Sequence, residues 1–207
     1  MENNNTTEMK VQGISNWGDP SPMLTTIFAT LCFLFWANTM GFFTEGAVLA
    51  IGVLQLGVFV SYTVGGIILL RNGNAFGGNT FMIFATVFGG IAGSAHVTMS
   101  IVPSTIPFCY QICGVSFIVA GLFLLLMLPG LKYAPKTDFI SFLTGGIGVL
   151  CYGLTGAGLA PAGLNYLGAW ALLIDGLVGF YTVIASMLGY LGCGPLPLGK
   201  PFFTQKD

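Results

Sequence analysis

Charge is scarce in this chain, which carries only 6 Lys and Arg residues and 7 Asp and Glu residues among 207. Soluble proteins normally carry roughly a quarter charged residues, whereas here charged residues make up 6% and hydrophobic residues 55%. So little charge could not keep a folded surface in water, and the sequence therefore predicts an integral membrane protein. The net charge of -1 leaves no basic patch, which excludes nucleic acid as a partner.

The chain also lacks the grouped residues on which enzymes depend. It has a single histidine, so no pair of histidines can hold a metal, and no Ser-His-Asp or Cys-His set falls at a common depth. Residues 73–77 lack the lysine of a phosphate-binding loop. Cys109 and Cys113 lie in an apolar run, where cysteine is usually a small buried hydrophobe. We therefore expect no enzyme activity, no cofactor and no metal site.

No positive cluster followed by a short apolar core opens the chain, so a cleaved signal peptide is not expected. Residues 1–18 are polar and are predicted to form a disordered cytoplasmic tail. Residues 195–207 are predicted to form a second cytoplasmic tail. Between them, residues 19–194 are predicted to form a single membrane domain.

What the chain does have is six long apolar runs separated by short breaks. A run of about 20 residues can cross the hydrocarbon core of a bilayer as a helix. The sequence therefore predicts an all-α membrane protein with six transmembrane helices. The predicted spans cover residues 22–43, 46–70, 75–102, 107–128, 139–159 and 164–192.

All basic residues fall in the two tails and in the second and fourth loops. They are Lys10, Arg71, Lys132, Lys136, Lys200 and Lys206. With an even number of spans, these segments share one face of the membrane. The positive-inside rule makes that face cytoplasmic and places both termini there. Glu45 marks the opposite face.

Ionisable groups inside spans are costly, so they are candidates for function. Asp175 lies about eleven residues into the sixth span, with no cation in any span to pair with it. We expect it to be protonated or hydrogen-bonded, and either a structural bond or a proton-linked role in transport would account for it. His96 lies toward the outer end of the third span, where it could bond a backbone carbonyl or take part in proton transfer.

Uncharged polar residues suit transient contact with a small solute, because strong binding would block flux. The spans contain Asn38, Thr39, Gln55, Asn79, Thr80, Gln111, Thr144 and Thr155. Each of these side chains could instead form a hydrogen bond between helices.

Several stretches resemble the acetate uptake transporter family. Asp19, Pro20 and Pro22 resemble the family's Asn-Pro-Ala-Pro motif before the first span. The most specific match is Gly-Asn-Ala-Phe-Gly at the start of the third span, where the family has Gly-Asn-Thr-Phe-Gly; its matching residues are Gly73, Asn74, Phe76 and Gly77. The spacing of Trp170, Gly176 and Tyr181 and the Leu-Pro-Leu-Gly of residues 196–199 resemble the family's sixth span and C-terminal tail.

The resemblance implies a six-helix protomer, a homohexamer, and a pathway through each protomer for acetate, related monocarboxylates or succinate. The family's pore is narrowed by a Phe, a Tyr and a Leu. The corresponding positions here are Phe28, Phe84 and either Leu143 or Thr144.

The chain departs from the family at three places. Asp19 replaces an Asn, and a Glu near the end of the second span is replaced by Leu69 or Leu70. Phe84 replaces the pore Tyr and so removes a hydroxyl group, which would favour a less polar or protonated solute.

The sequence thus predicts transport of small carboxylates across the inner or plasma membrane, with lipid and further copies of the chain as partners. The predicted constriction is Phe28, Phe84 and Leu143. The residues expected to bond the carboxyl group beside it are Asn38, Asn79, Thr80 and Thr144. Two alternatives are a channel for neutral solutes such as urea or water, and a membrane sensor or scaffold that transports nothing.

Overall fold

The structure is a computed structural model that describes residues 17–44, 46–194 and 196–203. Six helices follow one another, and no strand occurs in these ranges: α1 (Ser21–Thr39), α2 (Ala47–Arg71), α3 (Ala75–Ile101), α4 (Ile106–Met127), α5 (Lys136–Gly156) and α6 (Leu164–Tyr190). Each is long and apolar enough to cross a membrane, which confirms the six predicted spans and a multi-pass membrane protein. The predictions on residues 1–16, Glu45 and Lys206 lie outside the described residues.

Three predicted helix boundaries are wrong by three residues or more, and one of them is the end of the fifth helix, which lies at Gly156 rather than at residue 159. The first helix ends at Thr39 rather than at residue 43, because Gly41 adopts a left-handed φ of 76° and Phe42 N bonds back to Ala37 O at 3.0 Å. The fifth helix begins at Lys136 rather than at residue 139, so the predicted loop is shorter. A carboxylate in the first turn of a helix is favoured by the helix dipole, which explains why the helix extends past the apolar run to include Asp138.

The third helix is not uniform. Its middle, Ala85–Ile91, is π-helical, a form that is rare and often found at functional sites. Gly89 within this segment lies against α2, because a Cβ atom built there would be only 2.5 Å from Phe59 Cα. The two helices therefore approach backbone to backbone, as small residues allow inside a membrane.

The helices pack as one bundle. α4 packs on α5, α5 on α6 and α6 on α1, while α2 packs along α3 and α3 also contacts α4. This order encloses the side chains that α1, α3, α4 and α5 direct toward one another, and the candidate site lies among them.

The start of α1, the end of α2 and the end of α6 meet at one end of the bundle. Tyr190 Oη donates a hydrogen bond to Asp19 at 2.9 Å, and Asn72 Nδ2 donates to Trp17 O at 3.1 Å. The Arg71 guanidinium lies 5.0 Å from the centre of the Trp17 ring. We name this end the basic end, because it holds every Lys and Arg of the described ranges: Arg71, Lys132, Lys136 and Lys200.

The last described segment, residues 196–203, is not helical and packs at the basic end. Its backbone is held by Thr137 N, which donates to Leu198 O at 3.2 Å. Tyr181 Oη of α6 donates to Pro197 O at 2.9 Å. The tail is therefore attached to both α5 and α6.

Candidate functional site

A cavity of about 630 Å³ lies at the end of the bundle opposite the basic end. We name it the chamber. The ends of α1, α3 and α5 and the starts of α2, α4 and α6 surround it, and its polar lining residues are Asn38, Thr39, His96, Tyr110, Tyr152, Thr155, Asn165 and Tyr166. No Asp, Glu, Lys or Arg is among the described residues that line it.

Hydrogen bonds between helices fix the polar wall of the chamber. The hydroxyl groups of Thr39 on α1 and Tyr152 on α5 bond each other, and Tyr152 Oη also donates to Phe35 O at 3.2 Å. Across the turn between α5 and α6, Thr155 Oγ1 donates to Asn165 Oδ1. The chamber is thus a preformed concavity with several hydroxyl and amide groups, as small-molecule sites usually are.

His96 belongs to the chamber wall and is held from behind. Its Nδ1 lies 2.6 Å from Gln55 Oε1 of α2, and Gln55 is fully buried. Because Nδ1 is used by Gln55, Nε2 is the ring nitrogen left for a group in the chamber.

The chamber narrows inward to a second cavity of about 20 Å³, which has room for about one water molecule. Phe35, Phe117 and Tyr152 line both cavities and so join them. The remaining walls of the small cavity are apolar or aromatic apart from one thiol: Phe28, Leu31, Cys32, Phe88, Val149 and Leu172.

Five phenyl rings from α1, α3 and α4 follow one another inward from the chamber, and we name them the aromatic row. Phe35 meets Phe117 with ring centroids 6.1 Å apart, and Phe117 meets Phe88 at 5.5 Å. Phe88 then meets Phe84 at 5.0 Å. Phe84 stacks on Phe28 at 5.7 Å, with ring planes 15° apart. Four of the rings line the small cavity, whereas Phe84 contacts Phe28 and Phe88 without lining it.

The residues predicted for the constriction are only partly brought together. Phe28 and Phe84 are in contact, and both belong to the aromatic row. Leu143 is half-buried on α5 and lines neither cavity, and Thr144 Oγ1 donates to its own helix at Ile140 O, 2.8 Å away.

The residues predicted to bind substrate are dispersed. Asn38 lines the chamber, whereas Asn79 and Thr80 lie near the start of α3, toward the basic end. Asn79 is exposed and donates to Ala75 O at 2.8 Å, and Thr80 is buried with no hydrogen-bond partner within the described ranges.

Asp175 is fully buried inside α6 and lines neither cavity. Ser141 Oγ of α5 donates a hydrogen bond to its Oδ1, whereas no described residue bonds its Oδ2. A Cβ atom at Gly145 would collide with this carboxyl group, so α5 and α6 close tightly around it. Asp175 therefore takes part in a hydrogen bond between α5 and α6.

The proline motif stabilises the start of α1. Ser21 donates to Asp19 Oδ1 from its backbone N at 2.9 Å and from its hydroxyl at 2.6 Å, and Pro20 and Pro22 occupy positions at the helix start where no N–H is needed. Burial acts to raise the pKa of Asp19, but the hydrogen bonds from Ser21 and Tyr190 outweigh it, so the pKa lies below its ordinary value.

The Gly-Asn-Ala-Phe-Gly motif forms the turn into α3. Gly73 has a φ of 83°, which favours glycine, and Asn74 caps the helix by accepting a hydrogen bond from Gly77 N at 2.9 Å. Phe76 stacks on Phe142 of α5 at 5.7 Å. Both family-like motifs thus have structural roles at the basic end.

Sequence reasoning did not single out Phe35, Phe88, Phe117 or Tyr152. One signal was available, because Phe28 and Phe35 are seven residues apart and Phe84 and Phe88 four apart, spacings that put side chains on one helix face.

No family model matches the chain, and no curated protein matches it. Among solved structures, the bacterial acetate channel SatP matches with a TM-score of 0.74 and 20% sequence identity. The match covers 88% of this chain and 99% of that chain. The six-helix bundle, with its chamber and aromatic row, therefore has the fold of the bacterial acetate channel SatP.

Proposed function

We propose that this protein belongs to the acetate uptake transporter family and conducts acetate and related small carboxylates, succinate among them, through a pathway within each protomer. The observation that carries the proposal is the continuity of the chamber with the aromatic row. The row includes Phe28 and Phe84, two of the three positions at which the family narrows its pore. The shared fold with an acetate channel supports the same reading.

The two parts of the pathway would act in sequence. The chamber, at about 630 Å³, falls in the size range of small-molecule sites and presents hydroxyl, amide and imidazole groups to a carboxyl group. The aromatic row offers no hydrogen bonds, so a solute must leave its water behind to pass. A hydrophobic constriction of this kind gates by excluding water, while weak polar contacts beside it permit fast release.

The basic end would be cytoplasmic, because Lys and Arg near span ends are retained on that side. The chamber would then open to the outside of the inner or plasma membrane. Many large apolar side chains remain exposed on the outer faces of α2 and α4, which suits contact with lipid and with five further copies in a homohexamer. The protein would act without cofactor and would catalyse no reaction.

A channel-like mechanism fits the geometry better than coupling through an aspartate. A proton symporter needs a titrating protein group on the path, whereas Asp175 is fully buried between α5 and α6 and lines neither cavity. Asp175 would therefore contribute to stability rather than to coupling.

Uptake of labelled acetate into proteoliposomes tests the proposal, with protein-free vesicles as the baseline. Wild-type protein should give protein-dependent flux, and Phe84→Ala should change it because the stack with Phe28 is lost. Phe108→Ala is the matched control, since Phe108 is 68% exposed on the outer face of α4. Absence of protein-dependent acetate flux would contradict the proposed function.

A channel for small neutral solutes is the second candidate. It is favoured by the absence of Lys and Arg from the described lining of the chamber, where a carboxylate would find no cation. Urea measured in parallel decides between the two: urea flux without acetate flux would identify the neutral-solute channel.

A further inference from the structure

We propose that the chamber binds carboxylic acids in their undissociated form, with His96 Nε2 accepting the hydrogen of the acid O–H group. The solute would then carry its own proton along the aromatic row. This inference rests on the proposed function and specifies the chemical form of the solute at that site.

The hydrogen bond with Gln55 determines which ring nitrogen of His96 faces the chamber without a hydrogen. An amide oxygen can only accept, so the 2.6 Å contact with Gln55 Oε1 places the hydrogen of neutral His96 on Nδ1. The lone pair of Nε2 is then available to the chamber, where it can accept a hydrogen but cannot donate one to a carboxylate.

Close packing of α2 on α3 surrounds this hydrogen bond. A Cβ atom at Gly52 would be 2.9 Å from His96 Cβ, and a Cβ atom at Gly93 would be 3.1 Å from Gln55 Cβ. The backbones of α2 and α3 are therefore in close contact on both sides of the hydrogen bond. These contacts fix the spacing of the two helices at the hydrogen bond.

Side chains from the neighbouring helices line the chamber around His96. The titratable ones are Tyr110 and Cys113 on α4, Tyr152 on α5 and Tyr166 on α6, whereas α1 contributes Phe35 and α2 contributes Gln55. None of these residues is an Asp, Glu, Lys or Arg. A carboxylate in the chamber would thus lose water without gaining an opposite charge, whereas a neutral acid loses far less.

The aromatic row also favours a neutral solute over an anion. Five phenyl rings carry no group that could replace the hydration shell of an anion, so a neutral solute crosses them more easily. A carboxylic acid with an ordinary pKa of about 4 to 5 is undissociated in about 0.1 to 1% of molecules at pH 7. At a millimolar external concentration of total acetate, the undissociated acid is therefore present at a micromolar concentration.

Wild-type protein in proteoliposomes allows a test without any substitution. If the neutral acid is the transported form, acetate flux falls about tenfold per pH unit between pH 6 and 8, as the undissociated fraction does. A potential of about 100 mV leaves the final accumulation unchanged, whereas it would alter that of a monovalent anion about 50-fold. Acetamide, which is neutral and has an N–H donor beside a carbonyl, should compete equally well at pH 6 and pH 8.

The role of His96 is tested by His96→Phe, which keeps a ring and removes the acceptor. We expect the half-saturating concentration of undissociated acid to rise about 3- to 10-fold, the range of one lost neutral hydrogen bond. Ser100→Ala is the control: Ser100 lies one turn further along α3, and its hydroxyl donates to His96 O at 2.7 Å. His96→Phe leaves the buried Gln55 side chain without its hydrogen-bond partner, which could disturb the packing of α2 on α3. The double variant His96→Phe with Gln55→Leu removes that unpaired amide, and the same half-saturating concentration is measured for it.

The outcomes separate the two proposals. Acetate flux that follows the membrane potential would overturn the undissociated-acid inference and leave acetate conduction standing. Electroneutral flux with unchanged half-saturation in both His96 variants would overturn the role given to His96. No protein-dependent acetate flux at any pH would overturn the proposed function, and the inference with it.

Discussion

Gly89 and Gly90 are adjacent on α3, yet only the first should resist substitution. A Cβ atom at Gly89 would be 2.5 Å from Phe59 Cα and 2.6 Å from Phe59 N, whereas carbon atoms in contact normally stand about 3.5 to 4 Å apart. Gly89→Ala therefore requires α2 and α3 to separate by about 1 Å. Overpacking of this kind costs about 1 to 3 kcal/mol. At Gly90 the nearest atom to the new Cβ would be Phe59 Cδ2 at 3.5 Å, an ordinary contact.

Thermal unfolding of the two variants in the same detergent measures the difference. Any gain in helix propensity from replacing Gly by Ala is common to both, so comparing them isolates the contact with Phe59. For a chain of this size, 1 to 3 kcal/mol corresponds to a melting temperature about 2 to 12 °C lower for Gly89→Ala than for Gly90→Ala. Equal melting temperatures would refute the backbone-to-backbone packing of α2 on α3.

Three further predictions concern polar contacts. Asn74→Ala should lower the free energy of unfolding by about 1 kcal/mol through loss of the α3 cap, whereas Asn74→Ser should retain most of it, as denaturation in detergent would show. Because the pKa of Asp19 is lowered by its hydrogen bonds, its stabilising effect is present above the ordinary aspartate pKa and is lost as the pH falls through the lowered value; Tyr190→Phe should raise the pKa of Asp19 and shift that loss to higher pH in acid-unfolding curves. Asp175→Asn should retain the hydrogen bond from Ser141, the thermal stability and the pH dependence of acetate flux. Asp175→Ala should lower the free energy of unfolding by about 1 to 3 kcal/mol. A changed pH dependence of flux in the Asn variant would contradict the structural role of Asp175.

The span count and the membrane class could be predicted because they depend only on long apolar runs and scarce charge. Helix ends depend on local geometry that hydropathy does not encode. The left-handed conformation of Gly41 ends α1 before the apolar run ends. The first turn of α5 includes Lys136 and Asp138, which the sequence predicted to lie in a charged loop.

The site was harder to predict, for a physical reason. In a membrane helix, a phenylalanine that faces lipid and one that faces a pathway look alike in sequence, so Phe88 and Phe117 could not be told apart from Phe108. Resemblance to a family supplied Phe28 and Phe84, which are in contact. His96 and Gln55 both stood out as polar residues in spans, but their pairing across 41 residues depends on how α2 and α3 pack.

The π-helical segment sets the phase between the two halves of α3. An α-helix turns about 100° per residue, so Phe84 and His96, which are twelve positions apart, would face directions about 120° apart in a regular helix. A π-helical turn holds more residues than an α-helical turn. When one extra residue is accommodated in this way, the angle between the two side chains falls to about 20°. Residues 85–91 therefore bring Phe84, which faces the aromatic row, and His96, which faces the chamber, onto one side of the same helix. A regular α-helix that kept all residues would turn His96 by about 100° relative to Phe84, whereas deleting one residue from the π-helical segment would restore a regular helix and leave the two side chains about 20° apart.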